Sequence, residues 1–199
     1  MKRVLQFTLG VLAISTALQF QSCDKIKDSV KPTDDFDFTG AGADITIPAT
    51  NDTTAQGSIG QVTLNYDLDS MIKAKSKGLL SYNDIETIKI TSVTLTLTDG
   101  SKDNNFANFE YAGVEFNSDI YMAASPNVDP YTVAYIEHNP DNYNTTLSPP
   151  VTDSGKDVKK YFGPKMQFDY YVVGKLRRPI TTPLHGHFDI TYLISPKKS

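Results

Sequence analysis

One cysteine stands in 199 residues, and there is no tryptophan. A single thiol excludes an internal disulfide framework, so stability must come from packed apolar faces. Without Trp, stacking on a ligand would fall to smaller rings, 11 Tyr and 10 Phe. Histidine occurs only at His138, His185 and His187, which limits nitrogen ligands for a metal. Basic residues number 19 against 23 acidic ones, a net charge of −4. Such a balance argues against nucleic acid as a partner, because phosphate binding needs a basic patch. No nucleophile elbow, metalloprotease motif, phosphate loop or dinucleotide fingerprint occurs, so catalysis has little support and no cofactor is expected.

What is present begins with Lys2 and Arg3, followed by the apolar run Val4 to Ala17, VLQFTLGVLAISTA. That run is too short to span a bilayer comfortably and has no charged flank on its far side. The stretch ALQFQSC then ends in the lone Cys23, with Phe20 where a lipobox usually carries leucine. Basic start, apolar centre and Gln-Ser-Cys ending together resemble a bacterial lipoprotein signal peptide of the Bacteroidota type. The resemblance implies removal of residues 1–22 and lipidation of Cys23, for example with palmitate. It also implies a lipid-anchored place in the cell envelope, at the periplasmic or surface face of the outer membrane. Each buried methylene adds about 0.8 kcal/mol, so several acyl chains hold lastingly. The alternative is an ordinary secretory signal with Cys23 as a free thiol. Without Lys2 and Arg3, 17 of the 19 basic residues remain against 23 acidic ones, so the mature charge is −6.

Residues 23–42 are charged, carry Pro32, Gly40 and Gly42, and lack lasting periodicity, which predicts a flexible tether. Asp34, Asp35 and Asp37 read there as solvated charges, since no glycine-centred calcium loop surrounds them. From Ala43 to Ser199 the pattern is alternation, the sign of half-buried strands. Strands are expected at 43–48, 62–68, 131–137, 166–176 and 185–194, and around Val114 and Phe116. Asp69-Ser70 predicts the start of a short helix closed near Gly78. In IETIKITSVTLTLTDG, Ile88 and Ile90 share one parity while Val93, Leu95 and Leu97 share the other. Either a β-bulge sits at Thr91-Ser92 or the strand crosses between sheets. Residues 139–155, rich in Pro, Asn, Thr and Ser, read as a long surface loop. The expected fold is all-β: an antiparallel two-sheet β-sandwich of immunoglobulin-like or Greek-key type, with at most one short helix.

With IKITSVTLTLTDG, NNFANFEYAGVEF and VVGKLRRPITTPL in place, the chain resembles uncharacterised β-sandwich lipoproteins of the Bacteroidota. The resemblance implies a membrane-anchored, non-catalytic module for binding, adhesion or accessory work. Its partners would be the lipid bilayer and an envelope protein or glycan. Two alternatives are a surface glycan-binding or glycan-processing protein and a metal-binding module.

Several residues are candidates for such roles. His185, His187 and Asp189 alternate along the last strand and share one face, as metal ligands or as plain polar surface. Arg177-Arg178 could clamp a carboxylate or phosphate. Tyr131, Tyr135 and Tyr143 flank the long loop and could stack on sugar rings. Asp99, Asp103, Asn104 and Asn105 offer oxygens for calcium, but a turn explains them equally well. Asp28-Ser29-Val, Asp52-Thr53-Thr and Asp69-Ser70-Met resemble O-glycan acceptor triplets of exported Bacteroidota proteins, Ser29 and Thr53 being the better placed.

Overall fold

A computed structural model describes residues 34–39, 42–124 and 129–198. Cys23, Ser29, the signal segment and most of the tether lie outside the described residues. The described residues form nine strands and two short α-helices. The strands are β1 (Phe36–Thr39), β2 (Ala43–Ile47), β3 (Gln56–Tyr66), β4 (Ile85–Leu97), β5 (Phe109–Ser118), β6 (Tyr131–Ile136), β7 (Thr146–Leu147), β8 (Met166–Leu176) and β9 (Leu184–Pro196).

They pair as two antiparallel sheets. One runs β1-β9-β4-β7, with β2 sharing the edge of β9 that β1 occupies; the other runs β3-β8-β5-β6. Setting β1 aside, each sheet has four strands, and the chain crosses between sheets at most connections. That is the strand order of a jelly roll, a double Greek key. The antiparallel two-sheet sandwich is therefore as the alternation predicts, and of the two types expected it takes the Greek-key one. β1 lies within the stretch read as tether: Phe36 and Phe38 alternate with Asp37, and the strand pairs with Thr191 to Ile194. Packing of the Phe38 ring against Tyr192, centroids 6.3 Å apart, supplies the burial that the short apolar pattern alone does not advertise.

Helix α1 (Leu68–Lys75) starts earlier than Asp69-Ser70 suggests, because the carboxylate of Asp67 accepts from the Ser70 N–H. It buries Leu68 and Ile72. A second short helix, α2 (Asp119–Ala124), adds to the one expected; its six residues carry too little periodicity to register in the sequence. The stretch 139–155 is pinned rather than free. Thr146-Leu147 pairs with Leu95 and Thr96, and Val151 bridges Ala134.

The core between the sheets is aromatic. Phe116 and Phe168 meet edge to face at 5.4 Å, and Phe162 lies 4.9 Å from Phe168. Polar atoms enter it as a matched pair: the hydroxyls of Tyr170 and Tyr192 share a hydrogen bond of 2.8 Å. Burial pushes both phenols well above their ordinary range, and Tyr66 beside them up to about 12, so all three are neutral donors.

The strand register sorts the connections to two ends. Residues 48–55, 98–108, 137–145 and 177–183 gather at one end, tied by a bridge between Thr50 and Ile180. The chain enters β1 at the other end, opposite Ile194.

Candidate functional site

The sequence candidates separate once they are placed. His185 and His187 do project from the outer face of the first sheet, but each is held by its own carboxylate. His185 Nδ1 lies 2.5 Å from Asp99 on the β4 turn, and His187 Nδ1 lies 2.9 Å from Asp44 on β2. Asp189 approaches the opposite ring nitrogen of His187 at 3.6 Å, so the two acids do not converge on one point. Among the described residues, no group of three or more His, Cys, Asp or Glu side chains could hold a metal ion. Hydrogen bonding from His185 holds the Asp99 carboxyl below its usual range. These pairs latch β2 and the 98–100 turn to β9. Gly42 completes the latch, since a Cβ there would sit 2.0 Å from His187 Nε2.

Arg177 and Arg178 turn inward to the loop end. Arg177 donates to the carbonyls of Ala107 and Asn139, and Arg178 to Ala107. Arg178 also pairs with Asp141 at 2.6 Å. Around them stands a cage of buried asparagines. Asn105 Oδ1 accepts from Ala107 N–H, while its Nδ2 donates to the Ser101 and Lys102 carbonyls. Asn108 Nδ2 donates to Asp103 and Pro179, and Asn139 Nδ2 to Phe106 and Phe109. Asn104 Oδ1 accepts from the Thr181 N–H. The oxygens of Asn104 and Asn105 are thus spent on protein donors, and the turn reading holds. Burying so many amides is tolerable only because each is satisfied.

The three tyrosines occupy three places. Tyr131 packs into an aromatic cluster with Phe116, Tyr121 and Tyr161 and donates to Asp153. Tyr143 is exposed at the loop end. Thr53 is half-buried beside Asp52, whose carboxylate is bound by the Thr54 and Ala55 N–H groups.

Tyr135 remains, and it belongs to a patch that alternation alone does not reveal. On the outer face of the second sheet the register sets Tyr135, Gly113, Val173 and Ser58 in one row. The next row holds Thr132, Glu115, Tyr171 and Gln61. Tyr111, two residues before Gly113, comes up on the same face. Its ring lies nearly parallel to that of Tyr135, at 28° with centroids 5.9 Å apart. Gly113 makes this arrangement fit: a Cβ there would meet Ala134 O at 2.8 Å, Tyr135 Cβ at 3.0 Å and Tyr111 Oη at 3.3 Å. Val173 is buried although it stands outside the sandwich core.

Acids surround these rings. Glu115 accepts from Thr132 Oγ1 at 3.4 Å, and burial, with the like charge of Asp129, raises its carboxyl above the usual range. Burial and the charges of Glu115 and Glu137 raise the Tyr111 phenol. From Tyr135 an open groove of about 500 Å³ continues past the sheet edge, lined by Ile136, Glu137, His138 and Pro150 to Thr152. The groove exists because residues 150–152 cap the edge of β6, with Tyr135 N–H donating to Pro150 O and Thr152 N–H to Val133 O. An aromatic patch, a half-buried acid and a groove of ligand size together make this face the candidate site. The sequence signal for it is Tyr-x-Gly-x-Glu at 111–115, a glycine inside a strand between two large residues, which marks close approach.

No family model matches the chain, and no curated protein matches it. Among solved structures it is similar to the decameric BFDV capsid protein, at 5% identity and TM-score 0.34, over 82% of this chain and 98% of that one. It is also similar to the Kashmir bee virus empty particle at acidic pH, at 9% identity and TM-score 0.29, over 82% and 93%. Neither likeness carries an argument, and the strand order rests on the pairing seen directly.

Proposed function

We propose that this protein is a lipid-anchored, non-catalytic binding module of the cell envelope. It would be held at Cys23 and would engage its partner through the outer face of the β3-β8-β5-β6 sheet. The single observation behind the binding face is the Tyr111–Tyr135 pair over Gly113, with Glu115 beside it and an open groove leading away. A solvated sheet face ordinarily alternates to plain polar residues. Here a glycine and two half-buried rings replace them. The anchor rests on the basic start, the short apolar run and the lone Cys23. The metal reading finds less support, because His185 and His187 answer to separate carboxylates.

Hydroxyl-radical footprinting tests the face whatever the ligand is. Oxidation of Tyr111 and Tyr135 is compared between isolated envelopes and purified protein, with exposed Tyr143 as the internal reference. Occupancy predicts selective protection of Tyr111 and Tyr135 in envelopes. Equal oxidation of all three in both settings would refute the face.

A further inference from the structure

The chemistry of this face narrows its occupant. The two rings stack, 28° from parallel with centroids 5.9 Å apart, and enclose no box, while Tyr111 reaches over Gly113, its Oη 3.3 Å from where a Cβ would stand. A quaternary ammonium is recognised differently, by rings that enclose the cation. A platform suits a flat apolar surface laid upon it. The acids nearby, Glu115, Glu137 and Asp129, outnumber the lysine opposite Tyr111, Lys175, which is paired with Glu110, so the balance disfavours an anionic ligand. Carboxyls instead accept from hydroxyl groups at the rim of whatever covers the rings. The groove of about 500 Å³ beyond Tyr135 is open, so the ligand can continue past the sheet edge as a chain. A ligand with apolar C–H faces, hydroxyls around its edge, no charge and repeated units meets all four conditions.

We propose that this face binds a neutral polysaccharide, one pyranose ring seated on the Tyr111–Tyr135 platform and its hydroxyls against Glu115 and Glu137. The inference rests on the binding-face reading and adds the class of ligand. The next sugar unit runs into the groove between His138 and the Pro150–Thr152 strap. Gly113 leaves room for Tyr111 Oη, and Tyr171 borders the platform across β8.

The test is affinity electrophoresis of the full-length protein in detergent micelles. The gels contain a neutral β-glucan, xylan, galactomannan or dextran, with polygalacturonate as the charged counterpart. At least one neutral polymer should retard the protein. Tyr135→Ala and Tyr111→Ala should each weaken that binding at least tenfold, and Glu115→Gln should weaken it less. Tyr143→Ala, outside the ring pair and the groove lining, should leave it unchanged. Retardation by polygalacturonate alone, or by none of the polymers, overturns the inference. Binding to a neutral polymer that survives Tyr135→Ala overturns it too, because the sugar then lies elsewhere. A choline titration by NMR separates the two readings. Choline binding that is lost in Tyr135→Ala overturns the sugar class while leaving the binding face standing.

Discussion

At the scale of single residues, two positions show how a side chain's surroundings decide its role. Asn108 stands in the sequence as one of several turn-forming polar residues, yet it is buried and bridges Asp103 to Pro179. Asn108→Ala leaves those two carbonyls and the Asn105 N–H without a partner. The expected loss is about 1–3 kcal/mol of stability, read by urea denaturation. A change below about 0.5 kcal/mol would place the residue with ordinary surface positions. Glu115 behaves in the opposite sense to a paired acid. Its folded pKa is raised, so the ionised form is disfavoured in the folded state and penalises folding at neutral pH. Below the unfolded value of about 4.3 the group is protonated in both states and the penalty vanishes. Glu115→Gln should therefore raise the Tm near pH 7, with the gain shrinking as the pH falls below about 4.3. A gain that grows on acidification would contradict the assigned cause.

At the scale of elements, alternation made most of the fold legible, and its breaks were as informative as its runs. The parity change between Ile90 and Val93 allowed two explanations. The register shift between Ile90 and Ser92 selects the bulge, leaving all five apolar residues of β4 facing the core. Deleting Thr91 removes the extra residue and sets Ile88, Ile90, Val93, Leu95 and Leu97 in plain alternation, all still facing the core in the same register with β9. The deletion variant should keep its cooperative thermal transition and bind no hydrophobic dye; loss of the transition would show that the bulge itself, and not only the facing of the strand, is needed. Other elements were less legible for identifiable reasons. β1 has four residues and sits in a charged stretch, so only its docking against β9 makes it a strand. β7 has two, too few for any period. The candidate site was half legible: Tyr135 stood out beside a long loop, but Tyr111 and Glu115 became neighbours of it only through the β5–β6 register. Arg177 and Arg178 misled in the other direction. A basic pair reads as a clamp for a ligand, and its partners are the chain's own: carbonyls of two loops, at Ala107 and Asn139, and the carboxylate of Asp141.

At the scale of the whole molecule, the sandwich separates its loop end from the end where β1 begins. The strand register brings the chain into the sandwich beside Ile194 and gathers four loops at the opposite end. The outer face of the β3-β8-β5-β6 sheet runs between those ends, on the sheet that neither β1 nor β2 joins. The most direct measurement of the account is labelling of the expressing bacterium with radioactive palmitate, comparing the wild type with Cys23→Ala. The account predicts label in the protein and its loss in the variant. Equal labelling of both, or label in neither, would contradict it.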